Sequence, residues 1–460
     1  MKVLTNIRLF ITISLLFSLS VSGQHLRRKG SLGIAYVAAS DSLMRSLRVL
    51  DTHGIVIQQI APNSTAAQLG LQPNDVLVGI NESDTLYEYD FLKATEQLYE
   101  NDPIAVTLVR NRRKSRVVGK VLPAPRESSV EGQVLYDEVA YQRGYLRSIV
   151  HRPRGANKAA AIFYLQDYNC NSIDFALDSL HPTKQLIDGW VKAGFVVYRI
   201  EKSGVGESIN TRSCTRLTLL EELAVFEKGL LALKKYNFID SSRVFLFGHG
   251  MGGTVAPLLA AKHKTRGIMA YGATIKPWFE HLIDHFRTQN KSTKEPYQSV
   301  DANTRMLTPL LYEWLVAGKN GAELIQNPEF EAILTAKENP LRYQRGLFFG
   351  RLPAYFSELN QQNLAQAWGL AAVPTLAIHG ELDPRDLEAA QSIATVVNER
   401  RAGKGTCKIL KNSDQHFVKI ASASNALRIQ QLDSFGKEYT ARYFNPEIVE
   451  MTVSWLNQQK

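Results

Sequence analysis

From residue 134 onward, short apolar runs alternate with amphipathic stretches. Residues 134–141 and 145–151 look like an antiparallel strand pair. Apolar runs at 160–165, 195–200, 244–248, 267–271, 373–379 and 406–410 predict further strands. Residues 181–194 and 217–236 predict helices, the second with Leu220, Leu223, Phe226, Leu230 and Leu233 on one face. Asp240, Ser241 and Ser242 turn the chain into the 244–248 run. Strands alternating with helices predict an open, mostly parallel α/β sheet. Residues 275–364 break the alternation: they are helix-like and aromatic-rich, with no clear strand. An insertion there covers the carboxyl ends of the strands, where such sheets bind ligands. It reads as a helical cap.

The chain before residue 134 has a different pattern. Residues 24–122 read as one compact β-rich unit: strand-like at 31–34, 54–57 and 76–80, with a hairpin at 104–109 and 116–122. A small-residue helix is expected at 65–70. A second is expected at 87–99, with Phe91, Leu92, Thr95 and Leu98 on one side. Residues 123–133, containing PAPRESSVE, are polar and proline-containing and read as a linker. Residues 1–23 carry Lys2 and Arg8, then an apolar run over 9–21, then Val21, Ser22 and Gly23. That is the layout of a cleavable export signal, with an apolar run too short for a membrane span. The expected location is periplasmic or extracellular.

Composition changes this picture little. The hydrophobic share of 45% and charged share of 21% suit an ordinary globular chain. The net charge of +10 is spread out, and its one dense cluster, Arg110, Arg112, Arg113, Lys114 and Arg116, falls between two strand-like runs as a solvated hairpin tip would. No zinc-finger spacing or aromatic-basic interleaving points to nucleic acid. Cys170 and Cys214 lie in loops after strand-like runs and are expected to pair, leaving Cys407 free. Three unrelated thiols are the alternative, and an odd cysteine remains in either case. Export permits the bridge. His281 and His285 lie one turn apart in the cap, but no further ligands accompany them, so they read as ordinary cap histidines; no metal or cofactor is expected.

The candidate chemistry lies in VFLFGHGMGG, residues 244–253. Strand, sharp glycine-rich turn and helix follow without a break, as in a G-x-S-x-G nucleophile elbow. The position that calls for serine holds Gly250. Downstream come Gly380-Glu381-Leu382-Asp383 and Asp414-Gln415-His416-Phe417, in the chain order elbow, acid, histidine. With the turn at 201–208, these motifs make residues 134–460 resemble an α/β-hydrolase fold. The resemblance implies that Asp383 orients His416, and that His416 is the general base. It also implies an oxyanion pair built from the N–H of Met251 and the loop Gln166-Asp167-Tyr168. Asp167 stands where that loop usually has glycine. A carboxylate pointing inward there would repel a developing oxyanion, and one pointing away would matter little.

Residues 24–122 resemble a PDZ domain of the bacterial, protease-associated type, on the Leu32-Gly33-Ile34 loop and GIVIQQIAPNSTAAQLGLQPNDVLVGINE. Asn74 replaces a usual glycine there and tolerates positive φ. The resemblance implies a groove in which a peptide or protein C-terminus adds as a strand beside Leu32, Gly33 and Ile34, facing Phe91 and Thr95. A spacer that has lost ligand binding is the alternative. Together the two halves resemble exported bacterial proteins that join a PDZ domain to a serine esterase- or peptidase-like hydrolase.

Gly250 brings no hydroxyl or thiol for His416 to deprotonate. Three readings fit a site that keeps its acid, base and elbow. One is an inactivated copy that still binds ester- or peptide-like ligands. Another is a hydrolase using water activated by His416 and Asp383, or a different nucleophile such as Ser203 or Thr254. The third is an engineered replacement.

Overall fold

The structure is a computed structural model of the chain, describing residues 25–46, 53–288, 295–383, 386, 388–422 and 442–459. The signal-like residues 1–23 lie outside the described residues.

The first part is a six-stranded antiparallel sheet ordered β1-β2-β3-β5-β6, with β4 paired to β3. Its strands are β1 (Ile34–Ala38), β2 (Ile55–Ile60), β3 (Val76–Ile80), β4 (Ser83–Asp84), β5 (Pro103–Arg110) and β6 (Arg113–Lys120). The helices are α1 (Asp41–Ser46), α2 (Thr65–Gln68) and α3 (Glu88–Thr95). Leu32, Ile55, Ile57, Leu77, Phe91, Leu98 and Val106 form its core. Asn74 adopts φ +72°. The helix expected over 87–99 stops at Thr95. Leu98 still reaches the core, through a tight turn in which its N–H donates to the Thr95 carbonyl. Strand β1 is an edge strand, so one side of its backbone ladder faces away from β2.

Segment 123–133 is more than a polar tether. Glu127 is buried, and its carboxylate pairs with Arg199 and His151, both wholly buried on the larger domain. Strand β7 (Gly132–Tyr141) begins before the segment ends and pairs antiparallel with β8 (Gly144–Pro153).

The larger sheet has eight strands in the order β14-β13-β12-β11-β9-β10-β8-β7. Strands β9 (Ala159–Leu165), β10 (Val196–Ile200), β11 (Ile239–His249), β12 (Gly267–Tyr271), β13 (Thr375–Gly380) and β14 (Gly405–Leu410) run parallel. Strand β8 joins β10 antiparallel. Every residue of β10, β12 and β13 is buried, which is why these strands read as unbroken apolar runs. Helices α4 (Pro182–Lys192), α5 (Leu219–Leu233) and α6 (Met251–Lys262) follow β9, β10 and β11. Helix α5 opens on a capping box of Thr218 and Glu221. Strand β11 starts at Ile239, earlier than the sequence suggests, with a register irregularity before Val244.

Between β12 and β13 lie α7 (Trp278–Thr288) and the helices Tyr297–Leu315, Gly321–Leu324, Pro328–Thr335, Pro353–Asn360 and Leu364–Ala371. They form a helical insertion that runs past the 275–364 expected, its last helix starting at Leu364. Trp314, Phe348, Tyr355, Phe356 and Leu359 are wholly buried within it. Among the described residues, no helix is long and apolar enough to cross a membrane.

Candidate functional site

The elbow is built by close approach. A methyl group on Gly252 would lie 2.1 Å from the Leu165 carbonyl oxygen, so only glycine lets α6 rise directly behind β9. Gly250 itself has φ +53° and ψ −118°. This is a left-handed position that L side chains adopt only under strain. Its N–H donates to the Tyr271 carbonyl (2.9 Å), and α6 begins at the next residue.

The Asp167 carboxylate points inward. Its Oδ1 accepts hydrogen bonds from the N–H of Met251 and the N–H of Tyr168, each 2.8 Å. A Cβ on residue 250 would lie 2.7 Å from Asp167 Cγ and from Oδ1, and 3.0 Å from Oδ2. The carboxylate therefore occupies the space that a side chain on residue 250 would fill and accepts from the amides of both Met251 and Tyr168. Of the two orientations open from sequence, this is the one that matters to an oxyanion.

The loop carrying Asp167 is held from below by a buried polar cluster that no sequence pattern picks out. Lys202 Nζ donates to the carbonyls of Asp167 (2.6 Å) and Asn169 (3.1 Å) and pairs with Glu222. Arg351, from the insertion, donates to the Tyr168 carbonyl and to Glu222 Oε2. Tyr355 Oη donates to Glu222 Oε1 (2.9 Å). Burial, first of all, pulls the Lys202 ammonium down to about 8. The expected Cys170–Cys214 disulfide is present, and Cys407 is free. Long sequence separations hide such a cluster, since its members come from four different segments.

Asp383 is buried beyond the end of β13, and its carbonyl accepts from His379 Nε2 (3.0 Å). Its loop is tied to the loop after β14, where the Leu382 N–H donates to the Ser413 carbonyl (2.9 Å). In that second loop, Asp414 Oδ1 accepts from the backbone N–H groups of His416 (2.8 Å) and Val418 (3.0 Å). Burial, the largest cause, pushes the Asp414 carboxyl up to about 6, and the nearby Asp383 charge adds to it. His249 Nε2 donates to the Gln415 carbonyl (2.6 Å), so the elbow histidine fixes the loop of His416.

Gly250 and His416 line different cavities that share Asp167. One, of about 40 Å³, is walled by Gly250, Met251, Thr254, Trp278, His281 and His379 among others. The other, of about 240 Å³, is walled by Tyr164, His249, His416 and the 166–175 loop. His281, which the sequence leaves as an ordinary cap histidine, stacks on Trp278 at the first cavity. The two other hydroxyls considered as nucleophiles are engaged: Ser203 Oγ donates to the Arg212 carbonyl, and Thr254 Oγ1 to that of Gly250. Among the described residues, no group of three or more His, Cys, Asp or Glu side chains is placed to hold a metal ion.

A larger concavity lies elsewhere. Leu32, Gly33, Ile34, Phe91 and Thr95 line a single groove of about 780 Å³ between β1 and α3. Its far wall comes from the larger domain and includes Ser172, Asp174, Leu177, Glu201 and Glu207. Ser172 also lines the His416 cavity.

Comparison with known proteins agrees with this architecture. The model of the PDZ domain matches residues 23–86. An esterase of Thermotoga maritima, EstD, is 25% identical over 136 residues, which are 29% of this chain and 32% of the esterase. The match thus spans about a third of that relative's length. Among solved structures, a soluble variant of the monoglyceride lipase of Saccharomyces cerevisiae is 14% identical, with a TM-score of 0.43 over 73% of this chain and 99% of the lipase. A proline iminopeptidase of Mycobacterium smegmatis is 13% identical, with a TM-score of 0.42 over 71% and 98%. The model of the serine aminopeptidase family, S33, matches residues 178–410, just over half of the chain, a span holding Gly250 and Asp383 but neither Asp167 nor His416. The chain belongs to the serine aminopeptidase S33 family, with a PDZ domain ahead of its α/β-hydrolase fold.

Proposed function

We propose that this is an exported peptide-docking protein whose hydrolase-fold domain has given up serine-type hydrolysis. Gly250 carries the reading. At the strand-to-helix turn where an acyl-transfer nucleophile belongs, there is no hydroxyl or thiol to deprotonate. Loss of the nucleophile alone removes about six orders of magnitude of turnover in the worked serine-protease case. Asp383 and His416 are taken as the retained acid and base. The cavity at Gly250 has room for about three waters, taking about 10–15 Å³ for each. An ester- or peptide-like ligand of the large domain therefore belongs in the cavity of His416.

Docking is assigned to the groove between β1 and α3. An extended segment adds beside the open edge of β1, with its terminal carboxylate at Leu32 and Gly33. The domain boundaries adopted are 24–122 for the PDZ unit and 134–460 for the hydrolase unit, with 275–364 as cap. Export, to the periplasm or beyond, is supported by the layout of residues 1–23 and by the disulfide.

The test is direct. The purified chain is assayed on short-chain p-nitrophenyl esters and dipeptide amides and exposed to a fluorophosphonate probe. No turnover above buffer and no labelling are expected. Turnover that disappears in His416→Ala would overturn the proposal in favour of histidine-activated water. Docking is measured by fluorescence polarisation with a library of labelled peptides. Binders should need a free C-terminus, and an amidated terminus should cost at least tenfold in affinity.

A further inference from the structure

We infer that Asp167 is a resident intramolecular ligand of the oxyanion hole, so that this site is closed twice, once at Gly250 and independently at Asp167. The inference rests on the reading of residue 250 as the vacated nucleophile position, and it adds what fills the vacancy. An oxyanion hole is a pair of N–H donors aimed at a developing negative oxygen. Here both donors, Met251 and Tyr168, already converge on one negative oxygen, Asp167 Oδ1, at 2.8 Å each. Met251 also opens α6, a 12-residue helix whose first turn favours a negative charge. Charge-assisted bonds of this kind are roughly twice as strong as neutral ones. The carboxylate is not loosely placed, because Lys202 fixes its backbone carbonyl and the Cys170–Cys214 bridge closes the same loop.

A side chain at residue 250 would press on the same carboxylate. A Cβ there would lie 2.7 Å from Asp167 Cγ and Oδ1, closer than packed atoms tolerate, so either the carboxylate or the added side chain must shift. Held by the two amides, the Asp167 carboxylate keeps its place beside a serine restored at 250, and an acyl oxyanion then finds no donors. Restoring the hydroxyl is therefore insufficient to restore chemistry. The hydroxyl and the empty hole are needed together.

Four forms of the full chain test this with a fluorophosphonate probe. In labelling, the hydroxyl oxygen attacks phosphorus, fluoride leaves and the proton passes to histidine. Gly250→Ser alone and Asp167→Gly alone should stay unlabelled. The double variant Asp167→Gly, Gly250→Ser should label at least 100-fold faster than Gly250→Ser, the scale of an oxyanion-hole donor. Asp167→Asn in the Gly250→Ser background keeps an acceptor oxygen in the hole and should remain blocked. Thermal melts confirm that each form is folded. Labelling of Gly250→Ser at the rate of the double variant would overturn the inference. So would a folded double variant that never labels, or an asparagine form that labels as fast as the glycine form. Turnover by the unaltered chain would instead strike the reading of residue 250 itself.

Discussion

A methyl group at residue 250 meets two penalties, a backbone at φ +53° and a carboxylate 2.7 Å away. Gly250→Ala should therefore destabilise the chain by about 1–3 kcal/mol, measured by urea unfolding. Part of that loss should vanish in the Asp167→Gly background, because the two residues share one space. Glu201 offers a second test at this scale. Burial, its largest perturbation, raises the carboxyl from an ordinary 4.5 to about 7. The folded chain therefore holds a proton that the unfolded chain has released between pH 4.5 and 7. Stability from this group is complete below pH 4.5 and declines as pH rises to 7, by on the order of 3 kcal/mol. Glu201→Gln should flatten that part of the profile, read as the difference in unfolding free energy between pH 5 and pH 8 for the two chains.

The element on which the site depends is the loop after β9. The disulfide closes a 44-residue separation, and by chain entropy such a loop is worth about 4 kcal/mol. Glu222 pairs with both Lys202 and Arg351, and all three are buried, so removing Glu222 takes the carboxylate from two interior cations at once. Glu222→Ala should cost about 3–5 kcal/mol in thermal or denaturant unfolding, well above a surface salt bridge. At this level the sequence is legible where one periodicity holds. The run 267–271 is β12 to the residue, since a strand buried on both faces leaves a continuous apolar signature. The helix expected over 87–99 ends at Thr95, because its apolar period continues through a turn that still buries Leu98. The buried partners of Glu127 and Glu222 left no local trace, since charged residues in the interior look like surface residues when read along the chain.

Across the whole molecule, the smaller domain is anchored to the larger at several points. The Lys29 N–H donates to Glu207 (2.8 Å), Leu26 to Glu138 (3.0 Å), and Glu127 reaches Arg199 and His151. The peptide groove thus acquires a second wall, on which Leu177 is 73% exposed. If that wall takes part in docking, Leu177→Asp should weaken peptide binding by about tenfold, the worth of one lost apolar contact. Affinity unchanged by Leu177→Asp would confine recognition to β1 and α3.

Sequence alone predicted the two-part architecture, a mostly parallel main sheet, the elbow and, against the alternative of three unrelated thiols, the Cys170–Cys214 bridge. Each is written locally, in apolar period, glycine spacing or loop position. It also showed that residue 250 lacks a nucleophile. Only the tertiary structure decided the orientation of Asp167, because 83 residues separate it from Gly250 and its direction follows from two amides that meet it in space. Folding likewise placed His416 and Gly250 on adjoining cavities that share Asp167 as a wall, since a motif fixes chain order whereas packing fixes which surfaces face one another.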